Sequence, residues 1–226
     1  MLEYYDQRAD EYDQWYLRQG RYDTPELNDA WREDVRWLGA VVDAFAARHA
    51  GRRVLELACG TGFWAGRTAG GCHLVATDTS PQMLDHARRR LKRAGVAARW
   101  VRADAYRLPF ERGSFDAAYA GFFISHVPSL YVALLFDQVS GVLRPGGELL
   151  LFDGRRASRA AGSAPAAGDR LVQQRSLNDG RVFNVLKIYY DRALLARLLS
   201  RCGTNVQVQE SKVFFVAGSC RFGCQR

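Results

Sequence analysis

The run Val54-Leu55-Glu56-Leu57-Ala58-Cys59-Gly60-Thr61-Gly62 constrains the fold of this chain more than any other stretch. Val54, Leu55 and Leu57 suit a parallel strand buried on both faces. Glycines at 60 and 62 let the backbone turn sharply and approach a ligand before Phe63 and Trp64 open a helix. Gly60-x-Gly62-x-x-Ala65 also satisfies a dinucleotide fingerprint, so the turn alone does not choose the ligand. Glu56 tilts the choice: a carboxylate four residues before Gly60 repels a pyrophosphate and suits a ligand that carries an ammonium and a sulfonium.

A second short apolar run, His73 to Asp78, closes on an acid 18 positions after Gly60, placed to accept from both hydroxyls of a ribose. Thr79 follows, Ser80 is set to cap a helix and Pro81 to occupy its first turn. The helix is predicted from about Pro81 to Ala94, with Gly95 ending it. Further strands are predicted at Ala98–Ala103 before Asp104, at Phe115–Ala120 before Gly121, and at Glu148–Asp153 after the turn Arg144-Pro145-Gly146-Gly147. Strands alternating with helical stretches at this spacing predict an α/β fold, a parallel sheet covered on both faces.

Taken in order, ELACGTG, DTSPQML, RADAYRLPF, FDAAYAGFFISHVP and LRPGGELLLFD resemble the class I S-adenosylmethionine-dependent methyltransferases, over nearly the whole chain. The resemblance implies a Rossmann-like, mostly parallel sheet with an antiparallel last strand, and S-adenosylmethionine as cofactor. It implies that Glu56, Ala58 and the backbone of Gly60 and Gly62 meet the methionine part, that Asp78, with Thr79 beside it, holds the ribose, and that Met83 lies against the adenine. Asp104 would meet the adenine amino group with the Ala105 amide nearby, and Gly121 would face the cofactor from the fourth strand. Ala58 departs from the glycine that many members carry there. The segment DEYDQWYLRQG resembles the N-terminal cap of small-molecule methyltransferases, antibiotic-sugar N,N-dimethyltransferases among them, which implies that Tyr12 and Tyr16 lie nearest the cofactor.

A chain of 226 residues, 48% hydrophobic, is enough for one core and short for two. The expected organisation is one methyltransferase domain over 1–226: a helical cap or lid over 1–50, a cofactor-binding core over 51–226, and an acceptor-side insertion at about 154–190. No stretch approaches the ~20 apolar residues of a membrane span, and the acidic, aromatic N-terminus is unlike a secretory leader, so a cytoplasmic enzyme with no membrane partner is expected. Five scattered cysteines and four histidines do not describe a metal site. The oligomeric state is not legible.

The net charge of +8 hides an asymmetry: the first 34 residues hold ten acidic against four basic side chains, while arginines crowd the stretch from Arg88 to Arg93. A basic surface permits an RNA or protein methyltransferase as the alternative, but no nucleic-acid module is recognisable. Ala120-Gly121-Phe122-Phe123 also lacks the Asp/Asn-Pro-Pro-aromatic pattern of enzymes that methylate exocyclic base amines. A short-chain dehydrogenase would need Tyr-x-x-x-Lys, and Lys92, Lys187 and Lys212 each follow a non-tyrosine at that spacing. A non-catalytic nucleotide-binding protein is the remaining alternative.

Acceptor choice is expected in what is added to the sheet. Tyr4, Tyr5, Tyr12, Trp15, Tyr16 and Tyr22 cluster before a helix that opens at Thr24-Pro25 and repeats apolar residues at Leu27, Trp31, Val35, Leu38, Val42 and Phe45. Those rings can pack the segment down or serve as a lid that faces a sulfonium and excludes water. Gly154–Arg170 is predicted as a mobile loop, in which Arg155 and Arg156 can hold an acidic acceptor, and Asn178-Asp179-Gly180 as the turn of a hairpin. His126 stands just beyond the fourth strand as the candidate catalytic base for a hydroxyl acceptor, with a rate rise expected at about pH 6 to 7. The expected reaction is methyl transfer to an oxygen or nitrogen of a small-molecule metabolite, as in natural-product tailoring.

Overall fold

The computed structural model describes residues 2–156 and 172–223. The chain opens with two short helices, α1 (Leu2–Gln7) and α2 (Gln14–Leu17), followed by the long α3 (Pro25–Arg48). Then come β1 (Arg53–Leu57), α4 (Ala65–Ala69), β2 (His73–Asp78), α5 (Pro81–Arg93), β3 (Arg99–Arg102), β4 (Phe115–Gly121), α6 (Val132–Val142) and β5 (Leu143–Gly154). After them lie the hairpin β6 (Val172–Ser176) and β7 (Val182–Leu186), α7 (Arg192–Ser200), β8 (Thr204–Glu210) and β9 (Phe215–Arg221).

Seven strands form one sheet in the order β3-β2-β1-β4-β5-β9-β8. The first five run parallel, and β9 is antiparallel to both neighbours. Alternation along the strands divides the core. Val54, Leu74, Ala117, Tyr119, Leu150 and Phe152 face α3, α4 and α5, whereas Leu55, Leu57, Val75, Ala118, Leu149 and Leu151 face α6 and α7. The α3 stripe is buried as its spacing predicts, with Trp31, Leu38, Val42 and Phe45 fully enclosed.

Local chemistry sets the ends of these elements. Ser80 Oγ accepts from the Met83 amide at 3.1 Å with Pro81 at the first turn of α5, and Gly95, at φ +68°, closes that helix. The helix after Gly62 begins at Ala65 rather than at Phe63, and β3 is shorter than predicted. The last strand starts at Phe215 rather than earlier in the apolar run Val213-Phe214-Phe215-Val216-Ala217. Buried Asp34 on α3 takes the amides of Val213 (3.0 Å) and Phe214 (2.6 Å) and the Ser211 hydroxyl (2.6 Å), which withholds those groups from the ladder. The Asn178-Asp179-Gly180 turn joins β6 to β7, with Gly180 at φ +88°. Most of the predicted mobile loop, 157–170, lies outside the described residues.

Strand order reverses at β1, which has β2 on one side and β4 on the other, so the carboxyl ends of β1, β2, β4 and β5 open into one crevice. The N-terminal helices and the β6–β7 hairpin roof it together. Tyr4 packs with Leu177 and Val185, Glu11 accepts from the Asn178 amide at 2.8 Å, and Arg21 donates to the Ser176 carbonyl.

Candidate active site

Two facing loops meet at Asp78. Its Oδ2 accepts from the Gly60 amide and its Oδ1 from the Ser80 amide, each at 2.9 Å, so the carboxylate at the tip of β2 holds the loop after β1 and the start of α5 together. Burial pushes the Asp78 carboxyl up, and the amides of Ser80, Gly60 and Thr79 oppose that rise. The left-handed backbone at Gly60 (φ +54°) favours a glycine, and a Cβ there would stand 3.8 Å from the Tyr12 ring, an ordinary contact. Ala58 is left-handed too, at φ +49°, so the residue that departs from the family's glycine holds the conformation glycine favours.

A cavity of about 100 Å³ lies over this junction. Of the predicted residues, Tyr12, Ala58, Gly60, Asp78, Thr79, Met83, Gly121 and His126 line it; Tyr5, Ser80, Phe122 and Phe123 line it as well and were not foreseen. Gly121 has a second reason to be glycine, since a Cβ there would come within 2.3 Å of the Phe152 ring. Five predicted residues are not in the lining. Gly62 serves packing, as its Cβ would stand 2.9 Å from Ala87 of α5. Tyr16 stacks on Phe63 at 4.1 Å and accepts from the Trp64 indole. Asp104 is exposed and accepts from the Tyr106 amide, and Ala105 is buried beside it.

Glu56, the fifth, is buried with its Oε2 lacking any hydrogen-bond partner among the described residues. Burial lifts its carboxyl to about 8, against a hydrogen bond from Tyr119 and assisted by the charge of Asp78. An orphaned acid beside a carboxylate-tipped nucleoside crevice fits a ligand with one cationic end and one ribose, and the residues present therefore suit S-adenosylmethionine.

A second cavity, about 210 Å³, adjoins the first and shares Tyr5, Tyr12, Phe122 and His126 with it. His126 stands between the two, buried, with the Leu186 carbonyl 2.5 Å from Nδ1 and the Tyr5 hydroxyl 2.7 Å from Nε2. A carbonyl only accepts, so Nδ1 carries the proton and Nε2 accepts from Tyr5. Burial, with Lys187 and Arg175 nearby, holds the imidazole well below its ordinary pKa, so the expected rise at pH 6 to 7 moves to lower pH. Arg155, expected to face the acceptor, instead pairs with Glu210 at 3.3 Å and donates to the Ser211 carbonyl. A larger groove, about 750 Å³ and lined by Arg112, Phe136 and Arg144, lies at the amino ends of the strands, away from this site.

Residues 54–147 match the family model of the methyltransferase domain. Residues 54–147 are thus a methyltransferase domain, and the sheet that holds it is the class I, S-adenosylmethionine-dependent fold. The chain is similar to the demethylmenaquinone methyltransferases of Thermus thermophilus (36% identical, covering 59% of this chain and 60% of that one) and Clavibacter sepedonicus (40%, covering 52% and 47%). It spans roughly half to three-fifths of the length of these two relatives. Over nearly its whole length it is similar to DhpI, solved as a complex with SAH (26% identical, TM-score 0.73, covering 99% of this chain and 96% of that one) and as a complex with SAM and HEP.

Proposed function

We propose that this chain transfers the methyl group of S-adenosylmethionine to an oxygen or nitrogen of a small-molecule metabolite, in the manner of a natural-product tailoring enzyme. The observation that carries the reading is the pair of adjoining cavities, one with the Asp78–Gly60 junction on its wall and the other closed by the N-terminal segment and the hairpin. An acceptor cavity of about 210 Å³ favours a compact molecule over a polymer. C-methylation is the second reading, favoured by relatives named as ubiquinone/menaquinone C-methyltransferases.

S-adenosylmethionine supplies an electrophilic methyl group on a sulfonium. The chain's residues would orient and enclose it: Asp78 would accept from the ribose, Met83 would flank the base, and Tyr5 and Tyr12 would shield the reacting centre from water. For a hydroxyl acceptor, the Tyr5 oxygen takes the acceptor's proton while the Tyr5 proton passes to His126 Nε2, which the Nδ1–Leu186 bond keeps in the receptive tautomer. His126 is then the end of a relay, and Tyr5 the group that meets the acceptor.

The test is a screen of small hydroxyl, amine and quinol compounds with the purified chain and S-adenosylmethionine, read as the mass gain of one methylene with S-adenosylhomocysteine formed in equal amount. Transfer to a hydroxyl or amine supports the reading; transfer to ring carbon of a quinol replaces it with C-methylation; transfer to RNA or protein alone contradicts both.

A further inference from the structure

The acceptor-side cavity has an electrostatic imbalance that packing does not require. Arg8, Arg21, Arg175 and Lys187 line it, and among the described residues no aspartate or glutamate does. Two of the four cations are matched from behind. Lys187 donates to Asp153 and to Ser125, each at 2.7 Å, and Arg21 pairs with Glu11 at 2.5 Å.

Arg8 and Arg175 have no such match. Arg8 is 3% exposed, its Nη2 donates to the Tyr22 hydroxyl at 2.9 Å, and its other close neighbours are the rings of Tyr4, Tyr12 and Tyr22, 4.9 to 5.7 Å from the guanidinium carbon. Arg175 is half-buried and, among the described residues, reaches only Gln173 Oε1, at a long 3.4 Å. In both, the Nε–H is buried with no acceptor among the described residues. Burying an unpaired guanidinium costs free energy, and ring faces and neutral oxygens offset only part of it. Such a site is completed by an anion, and a planar guanidinium with unused donors matches a carboxylate or phosphoryl group in particular.

We propose that the cavity behind Tyr5 and His126 binds the acceptor by an oxyanion, a carboxylate or a phosphoryl group, held by the guanidinium groups of Arg8 and Arg175. The proposal rests on the reading of the adjoining cavity as the S-adenosylmethionine site. It also gives the cap and hairpin a shared task, because Arg8 belongs to one and Arg175 to the other: the bound anion ties the two pieces of the roof together. A cationic acceptor, such as a protonated amino sugar, is repelled from this cavity.

The test titrates the chain, free and loaded with S-adenosylhomocysteine, with inorganic phosphate and separately with acetate, followed by calorimetry. The expected result is saturable binding of at least one anion; phosphate alone identifies a phosphoryl acceptor, acetate alone a carboxylate. Arg175→Met weakens that binding by about tenfold or more, since charge-assisted donors are lost, and leaves S-adenosylhomocysteine affinity within about twofold. Arg8→Lys, which keeps the charge but not the fork, weakens it less and serves where deeper truncation disturbs the cap. Absence of saturable binding of both anions, or equal anion affinity in Arg175→Met, overturns the proposal. Failure of S-adenosylhomocysteine to bind while anions still bind through Arg175 removes the methyltransferase reading and leaves an anion site.

Discussion

At the residue scale, the behaviour of Glu56 and of the Tyr5–His126 pair follows from burial. Glu56 has a folded-state pKa of about 8 against 4.5 for a free carboxyl, so near neutral pH it is largely protonated while empty. A cationic ligand end that reaches it favours ionisation, so S-adenosylmethionine binding releases a proton and tightens as pH rises from about 6 to 8. Calorimetry in buffers of differing ionisation enthalpy reads that proton, and Glu56→Gln abolishes its release; a wild-type affinity flat across this range contradicts the assignment. For the pair, Tyr5→Phe and His126→Ala each lower single-turnover transfer to a hydroxyl acceptor by about 10²- to 10⁴-fold, and the double variant loses little more than either. Because His126 stays neutral well below pH 6.5, its contribution is lost only on the acid side of that value. Unchanged rates in both single variants return the pair to a structural role.

At the element scale, the roof is expected to act as a lid because its cavity is small. About 100 Å³ over the Asp78 junction is below the ~300–1,000 Å³ of sites for drug-sized ligands, so the rings of Tyr5 and Tyr12 must withdraw to admit a nucleoside and then close on it. Polar ties that a moving cap would exchange for water include Asp6 to Ser80 at 2.5 Å, Asp13 to Thr61 at 2.6 Å and Asp10 to His86 at 2.9 Å. Amides of residues 2–20 should exchange more slowly with S-adenosylhomocysteine bound, and deletion of residues 1–20 should leave a folded sheet with greatly reduced turnover. Equal exchange and full activity of the truncation make the segment structural. The sheet and the Gly60–Asp78 junction were legible in the sequence because strand periodicity, caps and a glycine turn are local signals. The roof was not. Tyr5 and His126 are 121 positions apart, and Arg8 meets the cavity that Arg175 enters from a hairpin docked across the crevice, so composition offered Arg155 and Arg156 where tertiary packing supplies Arg8 and Arg175.

At the scale of the whole molecule, part of the charge asymmetry is internal complementarity. Asp10 and Asp13 of the acidic cap meet His86 and Arg90 of the basic α5, so that helix is partly committed within the chain. Farther from the site, Glu148 on β5 ties the sheet to α3. Burial opposes its charge, but His49 at 3.0 Å and Arg48 at 2.7 Å overcome this and hold the carboxyl down at about 2. Its stabilisation is therefore complete above pH ~4.5 and is lost as pH falls toward 2. Glu148→Gln costs on the order of 2 kcal/mol at neutral pH and makes no difference near pH 2, as urea unfolding across pH would read. Every role proposed for the crevice depends on S-adenosylmethionine occupying it at Asp78. Calorimetry of the full chain with S-adenosylmethionine, S-adenosylhomocysteine and NAD, repeated on Asp78→Ala, tests that claim most directly. The predicted result is binding of the two adenosyl ligands, no binding of NAD of comparable strength, and a loss of roughly 2 to 4 kcal/mol in the variant as two charge-assisted ribose contacts disappear. Tighter binding of NAD than of S-adenosylmethionine, or equal S-adenosylmethionine affinity in Asp78→Ala, contradicts it.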